Sequence, residues 1–172
     1  MMNMRQGSYT MYDVLVQFLE GMERLIILGI GNDMRGDDGA GVFFIEKLSK
    51  CKIPKNVRLL SCGTTPENFT SVIVREKPSH MIIVDCVELS KEPGTVAIID
   101  EDKILNFTYS THKLPLTLFL KYLRNSLPIL KVLIIGIQPE SVEFGKGLSP
   151  KVRSSIENLV SLIEDVLVSL NR

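Results

Sequence analysis

Four strand-length apolar runs, each bounded by turn-forming residues, constrain this chain more than any other feature: RLIILGI (24–30), NVRLLSC (56–62), HMIIVDCV (80–87) and ILKVLIIGI (129–137). Runs this rich in Ile, Leu and Val suit strands covered on both faces. Between them lie segments of helical period. In DGAGVFFIEKLSK (38–50), Val42, Phe43, Ile45 and Leu48 recur at helical spacing. TPENFTSVIVREK (65–77) opens with Thr65 as a cap and Pro66 at the first helical position. LPLTLFLKYLRNSL (114–127) is a third helix. The closing segment is capped by Ser149, has Pro150 in its first turn, and carries an apolar stripe of Val152, Ile156, Leu159, Ile163 and Leu170. Strands alternating with helices predict a parallel sheet with helices on both faces.

The alternation breaks once. Only ELSKEP separates Val87 from the next strand, GTVAIID (94–100). That is too short for a helical crossover, so this strand is expected to run antiparallel to the third. The fold class is therefore α/β, a single three-layer α/β/α sandwich with a five-stranded, mostly parallel sheet and one antiparallel strand. Residues 24–172 form this domain, and residues 1–23 are an N-terminal extension. The extension has the pattern of a short amphipathic helix, with Thr10 as N-cap, Asp13 three residues on, and Tyr12, Leu15, Phe18 and Leu19 on one face. Asp13, Gln17 and Glu20 interrupt its apolar stretch, which argues against a signal peptide.

The charge balance narrows the partners. Twenty basic and 20 acidic residues leave a formal net charge of zero in 172 residues, so there is no basic footprint for nucleic acid or an anionic membrane. Cys51, Cys62 and Cys86 are too few and too scattered for a disulfide framework or zinc knot. No apolar run reaches the length of a membrane span. A cytoplasmic monomer is expected.

In an open α/β sheet, ligands bind beyond the carboxyl ends of the strands. The first such loop is GIGNDMRGDDGAG (29–41), a glycine-rich turn that carries its own acids. Its spacing is GxGxxxxG, it lacks the lysine and hydroxyl of a P-loop, and its aspartates would repel a pyrophosphate. Nucleotide binding is therefore excluded, and Gly29, Gly31 and Gly36 are left to serve backbone geometry. One aspartate, Asp37, suffices to cap the following helix, which frees Asp38 to point across the strand ends. Asp85 ends the most apolar strand, where a carboxylate needs a partner or a task. His112 lies in STHKLPL, a polar loop before a helix, whereas His80 starts the third strand at the opposite edge. Asp38, Asp85 and His112 together supply two carboxylates and an imidazole, a set suited to Ni, Zn or Mn with coordination positions left open. The two carboxylates also suit an acid–base pair. Cys86 follows Asp85 and should face the other way, into the core.

These stretches, LGIGNDMRGDDGAG, CGTTPENF, MIIVDCVELSKEPGTVAII, STHKLPL and LIIGIQPESVEFGKGLSP, resemble in order and spacing the hydrogenase maturation endopeptidases. The resemblance spans about residues 24 to 170. It implies a phosphorylase/hydrolase-like sandwich and an aspartic-type endopeptidase that removes the C-terminal peptide of a NiFe-hydrogenase large-subunit precursor after nickel insertion. It also implies that Asp38, Asp85 and His112 recognise the metal, that Asp38 and Asp85 are catalytic, and that the nickel is carried by the substrate. Ser61 stands where many relatives have an acid. Two other readings are a non-proteolytic nickel-sensing or nickel-delivery module and a peptidyl-tRNA hydrolase-like enzyme. The latter's family resembles GLGNPG, where this chain has Asp33 after Asn32.

Overall fold

A computed structural model describes residues 9–99, 101 and 113–170. Its elements are α1 (Met11–Phe18), β1 (Leu25–Ile30), a 3-10 turn (Gly36–Gly39), α2 (Ala40–Leu48), β2 (Val57–Gly63), a second 3-10 turn (Pro66–Phe69), α3 (Thr70–Glu76), β3 (His80–Cys86), β4 (Val96–Ile99), α4 (Lys113–Ser126), β5 (Lys131–Ile137) and α5 (Pro150–Leu170). The strands form one sheet in the order β2-β1-β3-β5-β4. β1 pairs parallel with β2 and β3, β3 pairs parallel with β5, and β4 pairs antiparallel with β5. The expected architecture is the observed one, with a single difference. β4 is the antiparallel strand, but its neighbour is β5, which inserts between β3 and β4. The short link after β3 therefore steps over the place that β5 later fills.

Every residue of β1 and β3 is buried. Their alternating side chains feed two cores. On one face Leu25, Ile27, Ile82 and Val84 pack with Leu15 of α1, Phe44 and Leu48 of α2, and Ile156 and Ile163 of α5. On the other, Ile26, Leu28, Met81 and Ile83 pack with Ile73 of α3 and with Leu116, Phe119 and Leu123 of α4. Three layers follow directly from these two clusters.

α1 is capped as its sequence implies: Asp13 N–H donates to Thr10 Oγ1 (3.2 Å), and Thr10 N–H donates to the Asp13 carboxylate (2.9 Å). Leu15 and Leu19 belong to the same core as β1, α2 and α5, so this helix is part of the sandwich layer. Tyr12, expected on the apolar face, is exposed, and Met11 packs there in its place. In α2, Phe44 and Leu48 are fully buried, while Val42 and Phe43 lie half-buried. In α5, Val166 and Leu167 complete the stripe, and Leu170 turns outward. His80 is buried at the amino end of β3, edge-on to Phe18 at 5.2 Å between ring centroids. Burial, helped by the Lys131 charge, holds its imidazole below its ordinary range.

Gly41 sets how closely α2 approaches the sheet. A Cβ there would lie 2.2 Å from the Ile30 carbonyl oxygen and 2.4 Å from that of Val84. Both are strand backbone and cannot yield. Gly41→Ala should therefore lift α2 and cost about 3 kcal/mol, which for a domain of this size lowers the thermal midpoint by about 6–12 °C. A melt within about 2 °C of wild type would contradict this account.

Candidate functional site

The chain runs from β1 out to β2 and then returns across β1 to β3. The strand order therefore reverses between β1 and β3, and this crevice is where an open α/β sheet places its ligands. The loop after β1 carries Asp37 and Asp38, and β3 ends with Asp85 and Cys86. The 3-10 turn of Gly36–Gly39 packs against β3, which brings both acidic segments to the same edge.

The turn is held by hydrogen bonds within itself and to the end of β2 and the loop after β5. Gly31 N–H donates to Gly63 O (2.9 Å), Asn32 N–H to Asp38 O (3.1 Å) and Arg35 N–H to Asn32 O (3.1 Å). Gly36 N–H donates to Lys146 O (2.9 Å), Asp37 N–H to Ser141 O (2.9 Å) and Asp38 N–H to Arg35 O (3.1 Å). Met34 N–H is taken by the Asn32 side chain at 3.0 Å. Gly31 is required because a Cβ would sit 2.0 Å from Asp38 O. A phosphate cradle needs amides that point at the ligand, and here nearly all are spent on the fold. Titration with ATP or NAD should give no measurable heat, and binding of either would refute this reading.

Asp38 and Asp85 are both buried, at 2% and 0% exposure. Asp85 accepts from Cys86 N–H at 2.8 Å through Oδ1. Cys86 faces the opposite core, as expected from strand alternation. Burial first, and then the charges of Asp85, Asp38, Asp37 and Glu88, push its thiol far up. Cys62 is also buried, and burial pushes its thiol up to about 12. Neither sulfur has the thiolate character a nucleophile needs. Glu67 and Glu140 are exposed.

Asp37 departs from the expectation that it caps its helix. No side chain caps the 3-10 turn. Fully buried, the Asp37 carboxylate instead accepts from Glu140 N–H (2.8 Å) and Ser141 N–H (3.1 Å) through Oδ2, and from Ser149 N–H (2.7 Å) through Oδ1. It ties the loop after β5 to the loop after β1. Gln138 has a similar task that the sequence did not reveal. Its Oε1 accepts from Leu89 N–H (2.7 Å) and Lys91 N–H (3.3 Å), and its Nε2 donates to the Glu88 carboxylate (3.0 Å). The only sequence sign was its position directly after β5.

His112, the third expected metal ligand, lies outside the described residues. Among the described residues no group of three His, Cys, Asp or Glu side chains is arranged to hold a metal ion. The structure therefore brings the two aspartates to one edge and leaves the three-ligand set as an expectation. Among the described residues no helix is long and apolar enough to cross a membrane.

Comparison with known proteins places this edge in context. A family model described as hydrogenase maturation protease matches residues 42–166. A Methanocaldococcus jannaschii protein assigned as a hydrogenase maturation protease is 36% identical over 168 residues, covering 93% of this chain and 98% of that protein. The hydrogenase 3 maturation protease of Escherichia coli is 33% identical over 141 residues, covering 81% and 88%. The crystal structure of a NiFe-hydrogenase maturation protease from Thermococcus kodakarensis superposes with a TM-score of 0.82 at 34% identity, covering 90% of this chain and 98% of that one. The chain belongs to the hydrogenase maturation protease family, and so it is a peptidase with the sandwich fold of that family.

Proposed function

We propose that this chain is an aspartic-type endopeptidase that removes the C-terminal peptide of a NiFe-hydrogenase large-subunit precursor after nickel insertion, and that the inserted metal is part of what it recognises. The observation that carries the reading is the pair of buried carboxylates, Asp38 and Asp85, at the reversal point of the sheet. The thiols near them are pushed up, so a peptidase built here must activate water, and a carboxylate pair beside a divalent cation can do so. The cation is cargo of the substrate. Asp38, Asp85 and His112 would complete its coordination, since oxygen and imidazole donors suit nickel. A precursor without nickel then presents an incomplete site.

The test is incubation of the wild-type protein with nickel-loaded and with nickel-free precursor, followed by intact-mass measurement. Shortening is expected only for the loaded form. Equal shortening of both would remove the metal from recognition. No shortening of either would favour the nickel-sensing or nickel-delivery reading.

A further inference from the structure

The loops that hold the acids also display apolar side chains. Met34, just before the acidic turn, is 56% exposed, and Phe144, in the loop after β5, is 74% exposed. Exposed apolar residues are ordinary when scattered. These two sit on backbone that has been fixed in place. Gly145 N–H donates to Met34 O (2.8 Å), Gly36 N–H to Lys146 O (2.9 Å) and Arg35 Nε to Val142 O (3.4 Å). The Asp37 carboxylate adds its bonds to three amides of the same loop. Two loops thus become one ledge. Beside it opens a hollow of about 200 Å³ whose lining includes Asp33, Gly36, Phe43, Leu148 and Arg153.

We propose that the Met34–Phe144 ledge is the docking surface for the folded body of the protein substrate, the hydrogenase precursor, and that it holds this body while the C-terminal tail reaches Asp38 and Asp85. The proposal rests on the proteolytic reading above. Three observations favour this occupant. The ledge is continuous with the acidic turn, because Met34 and Asp38 lie in the same loop. The acids are too buried to meet a folded surface, so the tail must enter alone and the body must rest on the rim. The ledge is also pre-ordered, so binding it costs little further loop entropy. Among the described residues, the exposed pair Leu118 and Tyr122 on α4 has no such tie to the acidic turn.

The test uses Met34→Ser, Phe144→Ser and the double variant with nickel-loaded precursor. Steady-state cleavage and direct binding to immobilised precursor are both measured, and thermal melts check the fold. The double variant should raise KM about tenfold and weaken binding to match, as loss of a central apolar anchor does, with kcat and melting unchanged. Unchanged KM and binding would overturn the proposal. So would a fall in kcat alone, or a loss of self-association with precursor binding intact. If the wild type binds the precursor without cutting it, the proteolytic reading fails while the binding comparison still decides the ledge.

Discussion

Asp38→Asn and Asp85→Asn should each slow cleavage of nickel-loaded precursor by about 10²–10⁴-fold, the range supplied by a positioned acid or base. Asparagine keeps the shape of the side chain and one carbonyl oxygen. In Asp85→Asn that oxygen can still accept from Cys86 N–H, now at 2.8 Å, so the end of β3 is retained. On the proposed mechanism, what disappears is the carboxylate oxygen that would meet the substrate's cation and take a proton from water. The decisive readout is initial rate by mass spectrometry, with thermal melts showing that each variant is folded. Activity within a few-fold of wild type in both variants would move the chemistry elsewhere. Glu67 and Glu140 would be the next groups to examine, because the Cys62 and Cys86 thiols are held too high to ionise.

β1 and β3 were legible because burial on both faces leaves uninterrupted apolar runs, a local signal. The cap of α1 was legible because its partners lie three residues apart. The neighbour of β4 was not, since the strand that fills the gap arrives some thirty residues later in the chain. Asp38 and Asp85 were nominated by a general rule about strand ends, and the strand order places that rule's crevice between their strands. The role of Asp37 differs from its sequence reading for a physical reason. A buried carboxylate after a glycine turn looks like a helix cap, and nothing local reveals partners 103 to 112 residues away. Gln138 is equally silent in the sequence, because loop amides leave no residue pattern to read.

That reassignment changes the expected consequence of altering Asp37. As a cap, its exchange for asparagine would cost at most about 1 kcal/mol, since asparagine also caps. As a clamp it is a fully buried anion that accepts three backbone N–H groups at 2.7–3.1 Å. Such charge-assisted bonds are roughly twice as strong as neutral ones. Asparagine offers a single oxygen, so its amide group must face either the Ser149 N–H or the Glu140 and Ser141 pair, donor against donor. Asp37→Asn should therefore cost about 2 kcal/mol, and Asp37→Ala, which strands all three amides, about 3–5 kcal/mol. For this chain length the alanine variant should melt about 6–20 °C lower. The loop after β5 should also exchange its amide hydrogens faster before the sheet does, because the clamp is local to the joined loops. Urea unfolding monitored by circular dichroism, with hydrogen exchange at residues 140–149, measures both effects. If Asp37→Ala proves no costlier than about 1 kcal/mol, the carboxylate is only a cap and the two loops are held together by their backbone bonds alone.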